Sequence, residues 1–343
     1  MLSYTKDQSL LLKGIAILMM LFTHLFSGRY IGLSTSLVYI AGKPLASWLV
    51  GACGPVAFFM IISGYGLACK YEQGSLSVIK QLSRVLKLYI HYWIVLILFV
   101  TIAHYLHPES YPGSITRIIH NLTGWKISYN GEMWFLLPYT LLSVFSIYII
   151  RCIDYLGNAR ALIITVLINL CTCYLLSRHG DIIVTHMSVH LPIMCLHLLQ
   201  SFSMGVILRR TSLQLNFNLP QWAVLAFLAT LVLIVCVTHS SLRYIIYAPL
   251  MVITLCNVHW PRLLRAILME LGRKSMPMWM IHTWLAYYLF QPQVYSLRYP
   301  LFIFLGLVIA SYLISIPVMW VAGIINNKLL VPGKKEGNVE GSA

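Results

Sequence analysis

Long apolar segments, separated by short basic loops, constrain this chain more than any other feature of its sequence. Ten of them are predicted to be helices: 10–26, 45–69, 85–106, 132–150, 160–176, 189–208, 219–238, 243–260, 275–290 and 300–325. A helix that crosses a bilayer needs roughly 20 mostly apolar residues. Of the 343 residues, 59% are hydrophobic and only 10% charged, with a mean hydropathy of +0.80. Soluble domains carry about 25% charged residues, because water must be met by polar surface. The predicted fold is therefore all-α, a polytopic transmembrane bundle of about ten helices. Pro55, Pro138, Pro192 and Pro317 fall within the segments, which membrane helices tolerate because neighbouring groups satisfy the freed carbonyls. Residues 32–41 and 107–130 read as connections with re-entrant or interfacial pieces. Residues 1–330 are expected to form a single transmembrane domain and residues 331–343 a short polar cytoplasmic tail. The first apolar segment lacks a small-residue cleavage site after Thr23 and His24, so it is expected to stay as an anchor.

The net charge of +15 comes from 24 Lys and Arg against 9 Asp and Glu. With the N-terminus inside, 17 of the basic residues fall on the cytoplasmic side and 7 on the other. That bias predicts both termini in the cytoplasm. It explains the charge without nucleic acid, and leaves room for an anionic ligand. The eight cysteines form no C-x-x-C pair and read as small packing residues rather than a metal site.

Ionisable side chains inside apolar helices are costly and need a partner or a task. Lys13 and His24 are eleven residues apart on the first segment, on nearly one face and about 16 Å apart along the axis. Lys13 either snorkels to the cytoplasmic interface or meets an anion. His24 is either an interfacial histidine or a base able to take a proton from a hydroxyl. Ser63 and the glycines that follow it in FFMIISGYG allow close approach of a helix or a ligand. Arg84 and Lys87 share a face and either anchor the helix or grip phosphates. Glu132 opens the fourth segment in the same layer as His24, as a helix-start carboxylate or as the group that orients the imidazole. His282 lies near the bilayer middle, as a structural histidine or as part of a site. Arg273 and Lys274 join the basic cytoplasmic layer.

The ordered set of motifs resembles the acyltransferase 3 family of multi-pass membrane acyltransferases. A basic residue, ten intervening positions and a histidine appear as Lys13 and His24. The FF-x-x-x-SG-[FY] element is Phe58, Phe59, Ser63, Gly64 and Tyr65, and a basic pair follows as Arg84 and Lys87. The G-x-x-WFL element runs from Gly131 to Leu136, and the late LG-x-x-S…H element is Leu271, Gly272, Ser275 and His282. The family commonly has Arg where this chain has Lys13 and Lys87. Lysine keeps the charge but loses the bidentate fork.

The resemblance implies O-acylation of a bacterial surface or lipid-linked carbohydrate at the inner (plasma) membrane. The co-substrate would be cytoplasmic acyl-CoA, in the first place acetyl-CoA, with no tightly bound cofactor. It implies His24 as base or acyl carrier, Glu132 as its orienting group and His282 as support. Lys13, Ser63, Arg84 and Lys87 would hold the donor. Some relatives carry a further hydrolase-like domain; here any such partner is expected to be a separate protein, or the membrane unit acts alone. A transporter or flippase for a lipid-linked glycan or small anion is the alternative, although internal repeats typical of carriers are not evident. A purely regulatory membrane subunit is a further reading.

Overall fold

A computed structural model describes residues 5–211, 219–238 and 243–330. The predicted tail at 331–343 lies outside the described residues. Helices α1 (Lys6–Phe26), α2 (Leu45–Val50), α3 (Pro55–Glu72), α4 (Val78–Leu106) and α5 (Ile115–Thr123) come first. They are followed by α6 (Leu136–Val144), α7 (Ser146–Leu156), α8 (Asn158–Thr185), α9 (Met187–Arg210) and α10 (Gln221–Val237). The last are α11 (Arg243–Cys256), α12 (Arg262–Thr283), α13 (Gln291–Tyr295) and α14 (Pro300–Leu330). Tyr39–Ile40 and Lys43–Pro44 form a small antiparallel hairpin, β1 and β2.

Local chemistry explains where several helices start. Thr5 accepts from the backbone N–H of Gln8, and the Gln8 side chain accepts from that of Thr5, closing a capping box at α1. Ser77 and Ser114 cap α4 and α5 in the same way with one bond each. The predicted 45–69 segment is split, because Gly54–Pro55 starts a new helix with proline in its first turn. The predicted 132–150 segment becomes a 3₁₀ turn (Gly131–Phe135), α6 and α7, with a 61° bend before Ser146.

Among the described residues, six helices are long and apolar enough to cross a membrane, or seven if the bent pair is one span. The predicted spans at 219–238 and 243–260 are helical but shorter than that, and α12 has the length but carries Glu270, Arg273 and Lys274. The exterior confirms a multi-pass membrane bundle: Ile97, Leu167, Leu233 and Trp320 face outward. Gln81, Asn169, Gln200, Ser203 and His282 are buried. Water would select the opposite distribution.

Small residues let the central helices touch through their backbones. A side chain on Gly14 of α1 would strike the Leu268 carbonyl of α12, and one on Gly272 would strike the Leu10 carbonyl of α1. Gly64 of α3 and Gly205 of α9 press in the same reciprocal way on the carbonyls of Phe202 and Ile61. Ion pairs then tie the helices at one end: Asp7 to Arg265 (3.1 Å), Glu72 to Arg209 (2.6 Å) and Asp154 to Arg210 (2.5 Å). This is the basic end of the bundle. Helices α1, α3, α4, α6 and α12 surround a central space, with α14 behind α1 and α12, and α8 outside α9.

The 107–130 connection turns back along α4. The hydroxyls of Tyr89 and Tyr92 and the indole N–H of Trp93 donate to the carbonyls of Thr123, Asn121 and Leu122 at the end of α5. Those terminal carbonyls have no partner within the helix, so three aromatic donors from α4 dock α5.

The glycine contacts generate a stability prediction. Gly14→Val or Gly272→Val should lower the thermal unfolding midpoint of the detergent-solubilised protein, since overpacking costs about 1–3 kcal/mol and often more against backbone. Gly323→Ala, where an added carbon meets nothing within 4 Å, should leave the midpoint where it was.

Candidate active site

The first tier lies at the basic end, where a cavity of about 490 Å³ opens between α1, α3, α4, α6 and α12. Lys13, Lys70, Arg84 and Arg273 line it together with Ser9, Ser63, Ser143 and Ser275, and no Asp or Glu does. Arg273 also pairs with Glu270 at 2.9 Å. Arg84 donates to the Gln81 side chain at 3.1 Å. Among the described residues, Lys13, Lys70 and Arg84 have no carboxylate within ion-pair distance. The cavity thus offers several cations and hydroxyl donors to a ligand with multiple negative charges.

The second tier, further along the same helices, is apolar. Met20, Phe135 and Trp279 line the cavity and are each more than nine-tenths buried. The Phe135 and Trp279 rings meet edge to face with centroids 5.5 Å apart.

The third tier lies one helical turn beyond. His24 follows Met20 by four residues, His282 follows Trp279 by three, and Glu132 precedes Phe135 by three on a strand of chain running the other way. The rings of His24 and His282 have centroids 5.0 Å apart. The His24 Nδ1 lies 3.8 Å from a Glu132 carboxylate oxygen, with the two side chains 18% and 30% exposed. His282 is fully buried.

Hydrogen bonding assigns the protons. The Tyr287 hydroxyl donates to the backbone carbonyl of His24. Its single hydrogen is therefore committed, and its oxygen accepts from His24 Nδ1–H at 3.2 Å. The His24 Nε2 is left as a lone pair. His282 Nδ1 sits 2.8 Å from the Trp279 carbonyl, which can only accept, so Nδ1 carries the hydrogen there too. His282 Nε2 meets no protein donor. The two imidazoles thus hold the same tautomer, each fixed by its Nδ1–H.

Tyr287 reaches this position because Trp284–Tyr288 is a single π-turn continuing α12, a local widening frequent at functional sites. Tyr287 and Tyr295 donate to the carbonyls of His24 and Leu25 at the unsatisfied end of α1. The ring of Tyr30 stacks on Tyr287 at 4.2 Å. The segment before Glu132 is held to the same turn: Thr283 donates to the Asn130 side chain, and the Gly131 N–H donates to Tyr288, each at 2.9 Å.

Of the residues proposed from sequence, Lys13, Ser63 and Arg84 meet at the cavity, and His24, Glu132 and His282 meet in the third tier. Lys87 is exposed and lines no part of the cavity, while Lys274 turns away to Glu270 at 3.5 Å. Lys70 and Tyr287 were not singled out by sequence. Lys70 reads there as an interface lysine, and the five-residue step from His282 to Tyr287 crosses faces in a regular α-helix. Among the described residues, no three metal-ligating side chains group together.

With this geometry in place, the comparison with known families decides the class. The model of the acyltransferase 3 family, described as an acyltransferase domain, matches residues 10–322. The chain belongs to that family. It is therefore a multi-pass membrane acyltransferase, and the match takes in all three tiers. No curated protein and no solved structure matches the chain.

Tyr287→Phe keeps the ring stack and removes the hydroxyl that holds the His24 tautomer. Acyl transfer by the purified variant should fall by about one to two orders of magnitude, up to the lower limit of what base catalysis typically contributes. An unchanged rate would show that Tyr287 does not orient His24.

Proposed function

We propose that the protein moves an acyl group, acetyl in the first instance, from acyl-CoA at the basic end to a carbohydrate hydroxyl arriving at the opposite end. The observation that carries this reading is the order of the tiers along α1, α6 and α12. A cation-lined cavity without carboxylates lies at one end, and a tautomer-fixed histidine with a bare Nε2 lies beyond it, partly exposed. CoA is multiply anionic and suits the first tier. A neutral hydroxyl needs a base, which suits the third tier with its histidines. The basic end is assigned to the cytoplasm on the positive-inside rule, and resemblance to the family points to a bacterial plasma membrane.

In this mechanism the acceptor oxygen attacks the thioester carbonyl carbon, an ester bond forms and the carbon–sulfur bond breaks. The hydroxyl proton passes to His24 Nε2 and then to the departing CoA thiolate, so charge and protons balance. Glu132 stabilises the imidazolium at 3.8 Å, while Tyr287 fixes the ring. His282 supports His24 from the fully buried side. Lys13, Lys70, Arg84 and Ser63 hold the donor in a site where water is scarce and charge-assisted bonds are strong. Lys87 has no direct part in this grip.

Purified protein given labelled acetyl-CoA and a surface-glycan acceptor should form acyl-glycan, and His24→Ala should lower that rate by about 10²–10⁴-fold. Full retention of transfer in this variant would remove His24 from the mechanism. The double variant Lys70→Ala, Arg84→Ala should raise KM for acyl-CoA by about tenfold or more, with a smaller effect on kcat, because it removes ground-state contacts. An unaltered KM would mean that the cavity does not bind the donor.

A further inference from the structure

The apolar tier has no role in gripping CoA or in moving a proton, yet it lies between the groups that do both. Met20, Phe135 and Trp279 come from three different chain segments and meet at the inner limit of the cavity. Each is one turn from a residue of the histidine tier: Met20 from His24, Phe135 from Glu132 and Trp279 from His282. The layer is thus about 5–6 Å thick, one turn of helix. The backbone carbonyl of Trp279 receives the His282 Nδ1–H, which ties this layer to the histidine tier. Phe135 is wedged between Trp279 and Tyr139, with ring centroids 5.5 and 5.4 Å away.

Resting on the donor site proposed above, we propose that Met20, Phe135 and Trp279 set the length of acyl chain this protein transfers, by leaving room for a short chain only. For the thioester carbonyl to come within reach of His24 Nε2, the acyl group must enter this layer from the cavity. Its tail then lies among three large side chains that are already closely packed. An interior at that density does not absorb extra methylenes without displacing side chains. The flexible Met20 can yield to a small group, whereas the Phe135 ring is held between those of Trp279 and Tyr139. A two-carbon chain is therefore accepted and longer chains are turned away by steric exclusion. One methylene in a fitted apolar pocket changes kcat/KM by about 10–200-fold.

The test measures kcat/KM for acetyl-, butyryl- and hexanoyl-CoA with the full-length protein in detergent or nanodiscs. The unaltered protein should prefer acetyl-CoA. Phe135→Ala and, separately, Met20→Ala should raise the butyryl-to-acetyl ratio by about tenfold or more, and Phe135→Leu by less. A layer that only packs the bundle would lower stability and overall rate together and leave the ratio as it was, which would overturn the proposal. A preference of the unaltered protein for the longer chains would also overturn it. Acetyl transfer with unchanged ratios sinks the chain-length proposal alone, and no transfer from any acyl-CoA sinks the donor reading and the proposal together.

Discussion

The backbone contact between α1 and α12 sets the register on which the rest of the site depends. Gly14 and Gly272 press on each other's helices near the basic end, and the same ten-residue step leads from Gly14 to His24 and from Gly272 to His282. Because the helices run in parallel with one rise per residue, matching the glycines also matches the histidines. Two imidazoles far apart in sequence then lie with rings 5.0 Å apart. A slip of one residue along either helix would rotate one ring away from the other. The close approach that two glycines permit is thus a condition for the histidine pair as well as for packing.

The tiered interior follows from the same alignment. Along α1 and α12 a charged or hydroxyl group (Lys13, Ser275) comes first, a bulky apolar group (Met20, Trp279) next and a hydrogen-bonded histidine (His24, His282) beyond. Separating cations from the histidines with an apolar layer keeps the two polar regions electrostatically distinct in a medium of low dielectric.

How much of this was legible in the sequence varies with the kind of interaction. His24, Glu132 and His282 stood out because ionisable groups in apolar helices are costly. Lys13 and Arg84 stood out as cations near helix ends. Lys70 did not, because a lysine at a membrane interface needs no further explanation. Lys87 matched a motif, yet it is exposed and lines no part of the cavity, whereas Arg84, Val85 and Leu88 of the same helix do. The breaks at Gly54–Pro55 and before Ser146 were hidden inside continuous hydropathy. Apolar content alone does not distinguish a straight span from a bent one.

By itself the sequence determined the solvent and the class of fold: apolar runs of spanning length and a scarcity of charge admit only a membrane helix bundle. Its ordered motifs also pointed to the acyltransferase family. Only the tertiary structure decided which polar groups meet, where the proton on each histidine sits and what separates the cavity from the histidine pair. Those features depend on axial register between distant helices and on one π-turn that shifts Tyr287 onto a new face. Hydropathy reports the exchange of water for lipid, residue by residue, whereas register is set by contacts between residues hundreds of positions apart.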